Sequence, residues 1–437
     1  MHLKMSWRLG FVNSAIVEKC EEFSLEISSI APDKSISHRS VMFSMLACGT
    51  SEIRNFLRAE DTLNSLEIVK NLGATIEDDG EVIKIKSDGI KESFEILECG
   101  NSGTGMRLFC GFLSSANGHF ILTGDKYLRS RPMKRVTTPL RDIGAKLDGR
   151  ADGDFAPISI RGASLKAFDY NSKIASAQVK SCMILAALRA DGVCTYTEPE
   201  KSRDHTERML KGMGADIYVD GLKTTITPMK ELLSPLIIRV PADPSSAFFF
   251  AVATAITPHA KITLQGVTLN ETRIEAFKAL EKMGANITYR MSDDKYEPIG
   301  DITVKYAPLK AITVDKNISW LIDELPALSI AFACAEGISV VKNAEELRVK
   351  ESDRISTVVD GLSACGIETT EYEDGYTVKG GTLNSATINS DGDHRIAMSF
   401  IIAGLRCGMK VTDLDCINTS FPNFFELLQK ITKVEFK

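Results

Sequence analysis

Cations and hydroxyls recur in this chain where helices should begin. The first set is Asp33-Lys34-Ser35-Ile36-Ser37-His38-Arg39, in which polar groups crowd one turn ahead of an apolar run, Val41, Met42, Phe43, Met45 and Leu46. The backbone N–H groups of a first helical turn lack partners and carry the positive end of the dipole. Such a start can bind a phosphate or carboxylate, here with help from Lys34, Ser35 and Arg39. Asn101-Ser102-Gly103-Thr104-Gly105-Met106-Arg107 repeats the arrangement, with glycines that let the backbone approach a ligand. Its spacing fits neither a dinucleotide fingerprint nor a P-loop. Arg129, Arg131, Lys134 and Arg135 crowd the start of a second helix, where the dipole opposes them, so they need an anionic partner.

Further starts follow at Ser176-Ala177-Gln178-Val179-Lys180-Ser181 and Ser202-Arg203-Asp204-His205-Thr206-Glu207. Ser176 and either Ser202 or Asp204 can cap these helices, and His205 reads as a hydrogen-bonded cap residue rather than a triad base. Asp323-Glu324 open an apolar helix, Lys350-Glu351-Ser352-Asp353-Arg354 open another, and Asp393-His394-Arg395 give the last. Lys350 and Arg354 beside Glu351 make a charge-assisted clamp with one carboxylate tunable for proton transfer. One capped start is ordinary. Repetition of cations at Lys34, Arg39, Arg107, Arg131, Arg203, Lys350, Arg354 and Arg395 points to a cleft for substrates with more than one phosphate or carboxylate.

A repeat must position these groups. The starts at Asp33, Asn101, Ser176, Pro244, Asp323 and Asp391 lie roughly 70–80 residues apart, too long for common solenoid repeats. Each apolar run stops at Gly49, Gly118, Gly192, Pro258-His259-Ala260, Gly337 or Gly408, and a β-rich stretch follows. A second helix ends at Leu72-Gly73-Ala74, Ile143-Gly144-Ala145, Met213-Gly214-Ala215, Met283-Gly284-Ala285 or Cys365-Gly366-Ile367. Alternating stretches beyond it (75–85, 223–227, 372–378) read as hairpins. The unit is therefore helix, strand, helix, hairpin. Its sixth copy has one short strand at 433–436, and residues 23–27 are expected to supply the missing partner.

One unit cannot bury both faces of a small sheet, so the copies should pack as two groups of three around internal helices. Prolines at 32 and 241 mark two crossings, which divide an α/β chain into 33–240 and 1–32 plus 241–437 with the site in the cleft between.

Composition agrees with this. The 437 residues are 44% hydrophobic and 25% charged, enough for two or three globular domains. A net charge of −6 argues against a nucleic-acid binder and favours small anionic substrates. Ten scattered cysteines without ligand spacing read as buried apolar residues in a reducing compartment. No run reaches membrane-spanning length, so a cytoplasmic protein without membrane contact is expected. Residues 1–20 look like a ragged extension, with the true start at Met5 or later.

The motifs resemble the 5-enolpyruvylshikimate-3-phosphate synthase family. They are Asp33-Lys34-Ser35 through Arg39, Gly100 to Thr104, Arg131-Pro132, Ser176-Ala177-Gln178, Asp323-Glu324 with Pro326, Leu347 to Arg354, and Asp393-His394-Arg395 with Ala397-Met398. The Ser176 to Lys180 form, with Ser202 to Glu207 after it, looks like the class II branch. The resemblance implies two domains, each of three βαβαββ repeats, an inside-out α/β barrel of the enolpyruvyl transferases. It also implies a 3-phosphoshikimate 1-carboxyvinyltransferase reaction: the 5-hydroxyl of shikimate 3-phosphate adds to C2 of phosphoenolpyruvate, and a tetrahedral intermediate eliminates phosphate. No metal or organic cofactor is implied, and a monomer is expected.

By the same resemblance, Lys34, Ser35, Arg39, Ser176, Ala177, Gln178, Arg203, Asp323 and Lys350 meet shikimate 3-phosphate. Lys34, Asn101, Gly103, Thr104, Arg131, Gln178, Arg354, His394 and Arg395 surround phosphoenolpyruvate. Asp323 would be the base at the hydroxyl and Glu351 the proton donor to the methylene carbon, with Lys34 and His394 assisting. This chain departs from the family pattern at two places. Thr419-Ser420-Phe421-Pro422 lacks the lysine that many members carry there, and residue 177 is alanine where the other branch has serine. Rival readings are a UDP-N-acetylglucosamine enolpyruvyl transferase, a 3′-terminal phosphate cyclase of RNA, and a non-catalytic anion-binding protein of the same fold.

Overall fold

The polar helix starts act as caps. In the computed structural model, which describes residues 14–293 and 296–437, the side chain of Asp33 accepts from Ile36 N–H and that of Ser102 from Gly105 N–H. Ser176 accepts from Val179 N–H and Asp393 from Arg395 N–H in the same way. At the fourth start the cap is Asp243, and Pro244 occupies the first turn, where no N–H is needed. The fifth helix, Leu325–Ala333, begins after Asp323 and Glu324 without a side-chain cap bond. Both carboxylates are thus left for other partners.

The helices behind these starts are buried on nearly all sides and form cores. Pro244–Ile256 and Leu325–Ala333 bury every residue. Helices Gly103–Leu113 and Ala177–Ala187 touch at Gly111, where a Cβ would stand 2.1 Å from the Cys182 carbonyl oxygen. Only glycine permits that approach, and it brings the second and third starts side by side. One hydrophobic cluster runs from Ile36 to Val240; the other takes residues 15–31 and 242–434, with Leu57 and Ala59.

Among the described residues the strands form six four-stranded sheets of one pattern. A lead strand runs parallel to the strand after the anchor helix, and the second hairpin strand lies antiparallel between that strand and the first hairpin strand. In the second unit these are Leu97–Glu98, His119–Thr123, Phe155–Arg161 and Lys146–Gly149.

The termini correct one expectation. Ser24–Ile27 does not complete the sixth unit; it pairs parallel with Lys261–Thr268 as the lead strand of the fourth. The stretch that would have led the fourth unit, Ile237–Arg239, is instead paired with Thr50–Arg54 in the first. What the sixth unit lacks is a central strand antiparallel to both neighbours. Ser14–Val17 supplies it, between Met409–Thr412 and Val434–Phe436. Residues 14–17 are therefore a strand with Ala15 and Val17 buried, not an extension. Four residues are too few for alternation to stand out. The expectations for residues 1–13, including a start at Met5, lie outside the described residues.

The crossings are tied to each other. Pro32 and Ala242 form an antiparallel bridge, with Asp33 N–H donating to Pro241 and Asp243 N–H to Ala31, both at 2.8 Å. Cys99, Cys110, Cys182, Cys194, Cys365 and Cys407 are buried as expected, whereas Cys48 is exposed and Cys20, Cys334 and Cys416 are half-buried. No described helix is long and apolar enough to cross a membrane.

Candidate active site

Six helix starts open onto one cleft between the halves. Lys34, Ser35, Arg39, Asn101, Gly103, Thr104, Arg131, Ala177, Gln178, Arg203, Asp323, Lys350, Glu351, Arg354, His394 and Arg395 all line it. Ser176 is the exception among the candidates: it faces an adjoining cavity, which shares Ala177, Gln178, Arg203 and Lys350 with the cleft.

On one wall, the Lys34 ammonium pairs with Asp61, which burial pushes up in pKa against the pull of Lys34. Arg39 is buried and fixed by neutral partners, Thr206 Oγ1 and Ser181 Oγ at 2.8 Å and the Ser35 carbonyl at 3.1 Å. With no carboxylate bonded to it, burial lowers its pKa to about 10. Gln178 Nε2 donates to Thr104 Oγ1 at 2.8 Å. Gly103 leaves room for Arg131, since a Cβ there would stand 2.9 Å from the guanidinium carbon.

The opposite wall supplies the carboxylates. Asp323 Oδ2 accepts from Arg203 at 2.9 Å, while Oδ1 lies 3.2 Å from Arg354 and 3.4 Å from Lys350. Glu351 is shared between Arg131 at 3.0 Å and Arg354 at 2.6 Å. Arg354 is itself held by Asp393 at 2.8 Å. Burial raises the pKa of both cleft carboxyls, but the cations outweigh it and hold Asp323 and Glu351 well below the usual carboxylate range. Both are ionised here. His394 is the converse case, with burial and then Arg395 lowering it to about 3, so its imidazole is neutral.

Two of the four cations crowded at the start of helix Lys134–Asp142 find anions in the other half, Arg131 in Glu351 and Arg135 in Glu346 at 2.8 Å. Other expectations change. Asp204 precedes helix His205–Gly212 but makes no cap bond; its carboxylate holds Arg208 and Asn270. Ser202 donates instead to Glu198 at 2.6 Å. Lys180, although inside a motif, points away from the cleft into a buried pair with Glu198 and Glu207.

Sequence reasoning missed Asp61, Asp243, Ser245 and Arg273, all in the cleft lining. Asp243-Pro244-Ser245 repeats Asp33-Lys34-Ser35 in type and spacing, a signal that was available. Arg273 lies in a loop with no pattern. It donates to Asp33 at 2.7 Å and Asp243 at 2.9 Å, so one guanidinium joins the caps of both crossings. It also donates to His205 Nε2 at 2.8 Å, which makes Nδ1 the protonated nitrogen facing Glu297.

Such a cleft can hold two anions against paired cations and place two carboxylates beside them. Residues 17–428 match the family model of EPSP synthase (3-phosphoshikimate 1-carboxyvinyltransferase). The chain is 77% identical to the 3-phosphoshikimate 1-carboxyvinyltransferase of Sulfurimonas denitrificans over 97% of its length and 99% of the relative's. It is 62% identical to that of a Nitratiruptor species, over 96% and 98%. The solved structure of EPSP synthase from Acinetobacter baumannii superposes with a TM-score of 0.86 at 40% identity, covering 97% of this chain and 99% of that one.

Proposed function

Because the chain belongs to the EPSP synthase family, we propose that it transfers the enolpyruvyl group of phosphoenolpyruvate to the 5-hydroxyl of shikimate 3-phosphate and releases phosphate. It is an enzyme, a transferase of the shikimate pathway. The observation that carries the reading is the cleft itself, where cations from both halves converge on Asp323 and Glu351.

In this reading Ser35, Arg39, Ala177, Arg203 and Lys350 receive shikimate 3-phosphate, with Ser176 reaching it from the adjoining cavity. Asn101, Gly103, Thr104, Arg131, Arg354, His394 and Arg395 receive phosphoenolpyruvate, and Lys34 and Gln178 stand between the two. Asp323 accepts the hydroxyl proton as the oxygen attacks C2, and Glu351 delivers a proton to the methylene carbon. The Glu351 carboxylate then takes back a proton from the new methyl group as the bond from C2 to the phosphate oxygen breaks, which restores the double bond and releases phosphate.

Glu351 is ionised while Arg131 and Arg354 hold it, so it must gain its proton after substrate arrives. An anion that takes over those two guanidiniums removes the charges that depress its pKa, and the same exchange at Arg203 and Lys350 makes Asp323 a stronger base. Substrate binding therefore arms both groups. His394 is neutral, so its part is to orient and hydrogen-bond, not to donate as an imidazolium.

The finer assignments belong to the same reading: the class II branch, a cytoplasmic monomer, and domains at 33–240 and at 1–32 plus 241–437. Two separate hydrophobic clusters support the domain division.

The test is phosphate release on mixing the protein with shikimate 3-phosphate and phosphoenolpyruvate, alongside Asp323→Ala and Glu351→Ala, with UDP-N-acetylglucosamine as the other acceptor. Release that needs shikimate 3-phosphate and collapses in both variants is expected. Release with the sugar nucleotide alone would assign the sister reaction, and none with either acceptor would leave an anion-binding protein.

A further inference from the structure

Arg107 is a buried cation without an ion-pair partner among the described residues. It sits on helix Gly103–Leu113 with 3% of its surface exposed. Among the described residues no carboxylate is in ion-pair range of it, while its neighbours Arg131 and Arg135 take Glu351 and Glu346. One guanidinium N–H group reaches Gln178 Oε1, another the Pro132 carbonyl at 2.9 Å, and Nε is buried without a partner. Burial, and after it the charges of Arg131 and Arg135, push its pKa well below that of an ordinary arginine. An apolar side chain of the same length would be the more stable occupant. Its role is found in what it touches.

A guanidinium only donates, so the end of the Gln178 amide that faces Arg107 must be the oxygen. The amide nitrogen is thereby turned toward Thr104 and the cleft. Without Arg107 the amide is free to flip and would set a carbonyl oxygen against two anionic substrates. We propose that Arg107 is a positioning residue, which locks Gln178 with its N–H groups toward the substrates and does so at the expense of stability. The inference rests on the reading that Gln178 stands between the two substrates.

The experiment is a double-mutant cycle on the full chain with Arg107→Met, Gln178→Ala and the pair together, reading kcat and KM by phosphate release and Tm by circular dichroism. Each single variant is expected to lose about 10- to 100-fold in kcat/KM, the range of one oriented polar contact. The pair should be no worse than Gln178→Ala, and Arg107→Met should keep or raise Tm. Arg107→Lys, which keeps the charge without the fork, should restore part of the rate and covers the case in which Arg107→Met does not fold. Losses that multiply in the pair, or a fall in Tm that Arg107→Lys does not repair, would overturn the role of Arg107 alone. A wild-type rate for Gln178→Ala would overturn both it and the reading of Gln178.

Discussion

Arg203 and Asp323 come from opposite halves and touch, with the guanidinium NH1 2.9 Å from the carboxylate Oδ2. Arg131 and Glu351 form the same kind of pair, at 3.0 Å. Each proposed reacting carboxylate thus occupies a cation proposed to hold a substrate anion. The carboxylates act as internal stand-ins at these two cations, whereas Arg39 is held by neutral partners. At Arg203 and Arg131 binding is then an exchange of partners.

Replacement of Asp323 by asparagine separates the two roles. The neutral amide cannot accept the hydroxyl proton, and kcat should fall by about 10²- to 10⁴-fold. Lys350 loses its carboxylate partner and Arg203 keeps only Glu324 at 3.4 Å, so shikimate 3-phosphate should bind as tightly as before or more tightly. Trp320, 8% exposed with its indole N–H bonded to the Lys201 carbonyl of the other half, provides the fluorescence signal for that titration. Weaker binding would mean that Asp323 holds the substrate and does not compete with it.

Gly103→Ala tests the placement of Arg131. The new Cβ would lie 2.9 Å from both Cζ and NH1 of that guanidinium, inside contact distance, so Arg131 must shift and its hold on a ligand must loosen. With shikimate 3-phosphate saturating, KM for phosphoenolpyruvate should rise about tenfold, as expected for one displaced charged contact, and kcat should change less. An unchanged KM would place phosphoenolpyruvate away from Arg131.

Much of this site was legible because its cations recur at helix starts, and helix starts are marked by caps, apolar runs and glycine stops. Lys34, Arg131, Arg203, Arg354 and Arg395 were found that way, and the repeat that carried them was visible before any element was placed. What stayed hidden lacked periodicity or depended on long-range pairing. Arg273 acts from an irregular loop on Asp33, which is 240 residues distant. Ser14–Val17 and Ser24–Ile27 were not separable by pattern, since which sheet a short strand joins is decided by the vacancy it fills. Lys180 shows that a place in such a motif does not by itself bring a side chain to the cleft.

Lys180 is instead a structural charge. Its ammonium lies 2.9 Å from Glu198 and 2.8 Å from Glu207, and both carboxylates are only 4% exposed. Lys180→Ala leaves them facing each other without a cation, which should cost about 3–5 kcal/mol of folding stability. Urea denaturation should show a lower midpoint, with kcat near wild type in the fraction that remains folded. A midpoint within error of wild type, or a selective loss of kcat, would overturn the structural role of Lys180.

Two histidines set how the protein responds to acid. Burial lowers the pKa of His38 well below its usual value, with Lys34 and Arg39 adding to the effect, and lowers that of His394 to about 3. His38 sits between two hydroxyls, Ser65 Oγ at 2.7 Å and Ser102 Oγ at 3.1 Å, so neither ring nitrogen meets a carboxylate. In the unfolded chain both imidazoles should titrate near pH 6.5. Between that pH and the folded values the unfolded chain binds more protons. The stability contributed by the neutral rings is therefore complete above about pH 6.5 and is lost as pH falls. The slope approaches about 1.4 kcal/mol per pH unit for each histidine below its unfolded pKa. Asp323 and Glu351, also depressed, contribute only when pH nears their unfolded values of about 4, whereas Asp61, raised by burial, acts in the opposite sense. Urea midpoints measured from pH 7.5 to 5 should fall in the wild type and stay nearly level in a His38→Gln, His394→Asn double variant. Equal slopes in the two proteins would show that folding does not shift the imidazole pKa values.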